Sequence, residues 1–182
     1  MSTVESQAML ILPVSEERDH IQGRPDAPVT LVEYGDYQCP YCRAAHPIVK
    51  AALERMGGQL RFVFRNFPIS TSHPRAQQAA EAAEAAAAQR RFWPMHDLLL
   101  ENQEHLGDEH LRDYAQRLAL DVGAFGHELA QHTHAPRVRE DFMSGARSGV
   151  NGTPTFFING RRHDGAYDLP NLLAALKDAA TP

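Results

Sequence analysis

Between residues 73 and 148 the sequence offers no strand signal, and the segments on either side of that gap differ from each other. Before it the pattern reads β-α-β. Val29-Thr30-Leu31-Val32-Glu33-Tyr34 is rich in β-branched and apolar residues and is broken by Gly35-Asp36, so it predicts a strand. From about residue 40 to 56, Ala45, Ile48, Val49, Ala52, Leu53 and Met56 recur at helical spacing, and Gly57-Gly58 stops them. Pro47 falls inside that pattern and predicts a kink. Residues 60–67 alternate like a second strand, closed by Pro68. Two strands joined by a helical crossover favour a parallel pair.

The gap itself reads as helices. An alanine-rich run at residues 79–88 has high helix propensity. Asp108 is placed to cap a helix carrying Leu111, Tyr114, Ala115 and Leu118 on one face, and Asp121 another with Val122, Phe125 and Leu129. Val138, Phe142 and Ala146 suggest one more. After the gap, residues 154–158 form a strand, and Asn159-Gly160 is a strong two-residue hairpin signal. Residues 161–164 return, and a last helix over about 169–179 turns Leu172, Leu173 and Leu176 inward. Residues 1–27 read as an arm, with an edge strand expected at residues 10–14. The pattern is therefore α/β: one domain over 1–182, with an all-helical insertion at about 73–148 between about 28–72 and 149–180.

A chain of 182 residues can bury roughly 70% of its unfolded surface, so it folds without a metal or disulfide staple. Eighteen Lys and Arg against twenty-three Asp and Glu give a net charge of −5. With no basic stripe, nucleic acid is excluded as the expected partner. No stretch approaches the ~20 apolar residues of a membrane helix. The first arginine is Arg18 and no lysine precedes it, so the basic region of a secretory signal is missing and a cytoplasmic protein is expected. In a reducing cytosol two cysteines point to catalysis or metal binding rather than to a structural disulfide.

Both cysteines fall in one motif, Cys39-Pro40-Tyr41-Cys42, between the first strand and the first helix. A cysteine at a helix start meets free backbone N–H groups and the positive end of the macrodipole. Both favour thiolate, so the Cys39 pKa should fall below the free value of ~8.5. Cys42, one turn further in, is less exposed and placed to attack a mixed disulfide on Cys39. That is the apparatus of thiol–disulfide exchange. Pro40 stiffens the helix entry. The competing reading is half a zinc site with His46 as a third ligand. Zinc usually takes four ligands, and the sequence has no second cysteine pair, so no metal is expected. His96 is read as packing at the core of the insertion. Glu33 interrupts a strand expected to be buried on both faces. Desolvation would raise its pKa and suit it to take and return the proton of Cys42.

At these residues the sequence resembles the thioredoxin superfamily, and within it the DsbA-like branch. The resemblance is carried by residues 26–42, by Phe92-Trp93 with Met95-His96-Asp97, and by residues 149–156, and spans roughly 20–180. It implies a thioredoxin fold interrupted by a helical insertion, the order already read from pattern alone. It implies that Cys39 is the nucleophile and Cys42 the resolving cysteine. Thr153-Pro154 would be the family's cis-proline pair, lying against the active-site disulfide. Glu33 would be its buried acid. The backbone before the proline would pair with an extended substrate, giving affinity with little sequence demand, so broad protein or peptide substrates follow. Pro40, Tyr41, Thr153 and Pro154 are the substrate-facing residues under this resemblance. No bound cofactor is implied; glutathione or a thioredoxin system would supply reducing equivalents.

The direction of exchange turns on the residues between the cysteines. Strongly oxidising members of the branch carry Pro-His there, and the histidine helps to stabilise the reduced form. This chain has Pro40-Tyr41, the pair typical of glutaredoxins, whose potentials lie at roughly −200 to −230 mV. Reductase or isomerase activity is therefore expected over net oxidation. Two alternatives stand beside it. One is a redox-sensing or binding module on a thioredoxin scaffold. The other is a glutathione-dependent isomerase or transferase, against which the intact pair of cysteines speaks.

Overall fold

The computed structural model describes residues 8–181. Its elements run β1 (His20–Gly23), β2 (Val29–Gly35), α1 (Pro40–Met56), β3 (Leu60–Asn66), α2 (Ala76–Ala88), α3 (Phe92–Glu101), α4 (Asp108–Arg117), α5 (Val122–Ala130), α6 (Ala135–Arg147), β4 (Thr155–Ile158), β5 (Arg161–His163) and α7 (Leu169–Ala180). The five strands form one sheet in the order β1-β3-β2-β4-β5. β2 and β3 are parallel and joined through α1, as the β-α-β pattern requires. The other neighbours are antiparallel. Asn159 and Gly160 turn β4 into β5 with φ of +47° and +81°, the left-handed pair that a tight hairpin demands.

Alternation along the strands sorts the core into two faces. Val29 and Leu31 of β2, with Phe62 and Phe64 of β3 and Phe156 of β4, face α1, α7 and the inserted helices. Val32 and Tyr34, with Val63, Phe67 and Phe157, make a smaller cluster on the opposite face, where Phe142 of α6 packs. Glu33 shares the first face and is 2% exposed, with Phe64 and Phe156 as its cross-strand neighbours.

Four local expectations are corrected. The edge strand is His20–Gly23, antiparallel to β3, and not residues 10–14. The carbonyls of Leu12 and Pro13 accept from the Arg65 guanidinium and so are turned away from any ladder. Ahead of β1 the arm also pairs at residues 8–10, where Leu10 N–H meets the Gly160 carbonyl and Arg162 N–H that of Ala8. Asp108 does not cap α4: Gly107 holds that position, and Asp108 and Glu109 place negative charge in the first turn. α3 has no counterpart in the pattern, because Pro94 interrupts it; within the first turn a proline is tolerated. On α6 the inward face carries Val138, Asp141, Ser144 and Gly145, while Ala146 is exposed.

That face is polar because it closes a buried ionic seam. The Asp141 carboxylate accepts from Arg18 at 2.7 Å, Arg137 at 2.6 Å, and the backbone and side-chain amides of Asn66 at 3.0 and 3.1 Å. Asn66 also donates to Glu84 of α2, whose other oxygen meets His20 of β1. Arg65, fully buried, forms two hydrogen bonds of 2.9 Å to Asp19 and one of 3.0 Å to the Tyr34 hydroxyl. Removing one partner of such a buried pair costs about 3–5 kcal/mol, because the other charge is left unpaired.

Candidate active site

Strand β2 and helix α1 deliver the two cysteines together. Cys39 is the N-cap of α1 in extended conformation, and Pro40 opens the first turn, where its missing N–H costs nothing. Both cysteines are free thiols. Cys39 is 3% exposed and Cys42 fully buried, while Pro40 is exposed and Tyr41 stands 65% exposed beside them. The Cys39 sulfur lies 3.4 Å from the Thr153 carbonyl, so residues far apart in sequence meet at the sulfur. The Thr153–Pro154 peptide bond is cis, and both residues are half-buried at the edge of the site. The Thr153 hydroxyl is buried and makes no hydrogen bond among the described residues.

The surroundings push the two thiols apart. A hydrogen bond from the Cys42 thiol, and those of the Cys42 and Tyr41 backbone amides, lower the Cys39 pKa to about 5, although burial works against them. Cys42 moves the other way. Burial first, and then the Cys39 thiolate and Glu33, hold its pKa well above the ordinary thiol range; the Asp36 N–H, 3.4 Å from its sulfur, pulls weakly downward. Glu33 is raised to about 8, mainly by desolvation and then by the Cys39 charge, and its Oε1 is buried without a hydrogen bond among the described residues. A thiol of lowered pKa, a buried second thiol and a buried acid thus influence one another electrostatically.

Alkylation of the reduced protein with iodoacetamide tests this separation. A lowered thiol pKa leaves thiolate present above it and lost below it. Cys39 modification should rise with a midpoint near pH 5 and be flat through neutrality, with Cys42 unmodified over that range. A midpoint near the free value of about 8.5 would contradict the assignment.

Four supporting residues escaped the sequence reading. Asp36, 1% exposed, accepts from the Gln38 and Ile69 backbone amides and pairs with His73 Nδ1, each at 2.8 Å. The Gly-Asp break after the strand is the signal of that turn, since aspartate bonds the backbone two residues on. Gln103 Nε2 donates to the Cys39 carbonyl at 2.8 Å, and the Gln38 side chain accepts from Arg75 N–H. These contacts come from the insertion across long sequence separations, and no local pattern announces them. Tyr37 joins its hydroxyl to His96 Nδ1 at 3.0 Å, within a cluster of aromatic rings including Phe64, Phe92 and Trp93. His96 packs at the base of the insertion, as read. His46 turns toward His96 and Asp97, so it is not grouped with the cysteines.

The thioredoxin family model matches residues 15–178. The Na(+)/H(+) antiporter NhaA 1 of Salinispora arenicola is 49% identical over 170 residues, covering 93% of this chain and 26% of that protein. The chain therefore spans about a quarter of the length of the curated relatives it matches. Among solved structures, BdbD from Bacillus subtilis superposes with a TM-score of 0.84 at 23% identity, over 97% of this chain and 98% of that one. A thioredoxin-like oxidoreductase from Silicibacter pomeroyi gives 0.75 at 27% identity, over 91% and 94%.

Proposed function

The chain belongs to the thioredoxin family, and on that premise we propose that it is a DsbA-like thiol–disulfide oxidoreductase acting on protein or peptide disulfides through Cys39 and Cys42. One observation carries the reading: Cys39 caps the start of a helix with its sulfur 3.4 Å from the carbonyl before a cis proline, one turn from a buried second thiol and near a buried acid.

The cycle follows from these positions. The Cys39 thiolate attacks one sulfur of a substrate disulfide. The substrate S–S bond breaks, one substrate thiolate leaves and takes a proton from water, and a mixed disulfide forms on Cys39. Consuming the Cys39 charge removes one of the two causes that raise Glu33, so the carboxylate form becomes accessible next to Cys42. Glu33 takes the Cys42 proton as general base. The Cys42 thiolate attacks Cys39 Sγ and expels the second substrate thiolate, which is protonated. Two electrons have passed to the substrate, and Cys39–Cys42 is left as a disulfide. Thr153 and Pro154 border Cys39, and an extended substrate would add its backbone there, with Pro40 and Tyr41 as the exposed flank.

The Pro40-Tyr41 pair supports the reductase or isomerase direction, run against a cytosolic glutathione poise, with glutathione or a thioredoxin system restoring the dithiol and no bound cofactor. The antiporter name belongs to relatives much longer than the matched segment, and no described helix here is long and apolar enough to cross a membrane.

Insulin reduction with excess dithiothreitol tests the activity, and equilibration with glutathione buffers tests the direction. Multiple turnovers and a potential of about −200 mV or lower are expected. A value near −120 mV would reverse the direction. Oxidation once, without turnover, would make the pair a redox sensor in place of an enzyme.

A further inference from the structure

Beside the thiol site, α1 and α3 bring together donors that the disulfide chemistry does not use. His46 lies one turn past Cys42 on α1, and α3 supplies His96, Asp97 and Glu101, the last two one turn apart on the same face. His46 is 7% exposed, and its Nε2 makes no hydrogen bond among the described residues. Asp97 Oδ1 and Glu101 Oε1 nevertheless stand 3.4 Å from that nitrogen. Around a cation bound at the ~2.0–2.1 Å typical of zinc, tetrahedral ligands lie roughly 3.3 Å from one another. The separation found is thus that of ligands around a shared ion. One donor atom each from His46, His96 and Asp97 lies within 4.8 Å of the others.

We propose that His46, His96 and Asp97, with Glu101 as the fourth donor, bind a single divalent transition-metal cation of the Zn²⁺ class. Two imidazoles with two carboxylates suit zinc better than calcium or magnesium, which take oxygen ligands. The outer shell is also in place. The Tyr37 hydroxyl holds His96 through Nδ1, which fixes the ring and leaves Nε2 to ligate. A surface cleft of about 420 Å³, lined by Arg43, Lys50 and Glu54 among others, reaches His46 and Glu101 and gives an ion its path in. Lys50 is the competitor: its Nζ lies 3.3 Å from Asp97 Oδ2 and 3.6 Å from Glu101 Oε1, so it neutralises the carboxylates from outside. A bound cation would displace that ammonium and tie the redox helix to the insertion.

The test uses protein in which Cys39 and Cys42 are joined as a disulfide, so that thiolates cannot ligate. It is stripped with chelator and titrated with Zn²⁺ by calorimetry, and with Co²⁺ by visible absorption. One ion per chain is expected, with a tetrahedral cobalt spectrum. Asp97→Asn and His46→Gln should each weaken binding at least about tenfold, and Lys50→Gln should tighten it. Asp97 is 40% exposed on its side chain, so its variant keeps the fold and serves even if His46→Gln does not. The absence of a saturable one-site isotherm would overturn the proposal. So would binding equal in all variants, which would mark an adventitious site such as the neighbouring His105 and His110 rings, 4.8 Å apart.

Discussion

Replacing Cys39 with serine abolishes disulfide exchange: insulin turnover falls to the rate of dithiothreitol alone, since loss of a nucleophile can cost about 10⁶-fold. A serine hydroxyl at the same helix entrance is not ionised near neutrality, so the contacts that stabilise the thiolate have no anion to act on. Cys42→Ser behaves differently. Cys39 still attacks, but nothing resolves the product, and a mixed disulfide with the substrate accumulates on a denaturing gel run without reductant. The pair of outcomes separates the roles. Equal residual activity in both variants, or exchange surviving in Cys39→Ser, would remove Cys39 as the nucleophile.

The second large effect concerns Glu33 and pH. Below about pH 4.5 the folded and unfolded chains both keep this carboxyl protonated, so its burial carries no pH-dependent cost. Between 4.5 and about 8 the unfolded chain releases a proton that the folded chain retains, and stability falls as pH rises. Above about 8 the loss levels off, at on the order of 5 kcal/mol for a gap of that size. Glu33→Gln keeps the shape and removes the titration. Denaturant unfolding at a series of pH values should show the variant gaining on the parent by roughly 3 kcal/mol between pH 5 and 7.5, whatever constant cost the amide adds. The gain should shrink in the disulfide form, where the Cys39 charge no longer raises Glu33. Resolution of the mixed disulfide should slow about 10²-fold, with the first attack little changed. Parallel stability curves would mean that Glu33 is ionised in the folded protein.

Much of this site was legible because the sequence concentrates it. A strand ending in Gly-Asp, two cysteines one turn apart and a helix opening at Pro40 are local patterns, and α1 begins and ends where its periodicity placed it. Glu33 was readable as an acid inside an apolar strand. What escaped was set by distant partners. Residues 10–14 look like a strand, but Arg65 takes their carbonyls, and it lies some fifty residues away. The apolar spacing of α6 suggested a greasy inward face, whereas Asp141 and Ser144 turn inward because Arg18, Asn66 and Tyr34 await them. Gln103 carries no motif, and only the folding of the insertion back onto α1 brings it to Cys39.

The buried seam also bears on how this unit can be carried from one protein to another. Asp141 is satisfied by the arm, by β3 and by its own helix, and Arg65 is satisfied by Asp19 and the carbonyls of Leu12 and Pro13. A cassette cut at the first central strand would retain the sheet centre, the cysteines and the insertion, yet leave Arg65 in the interior without its counter-charge and Asp141 with Arg137 but without Arg18. The smallest transplantable piece must therefore include the arm from about Leu12 onward. The arm is the latch of the module, and a boundary drawn from strands and helices alone would leave it behind.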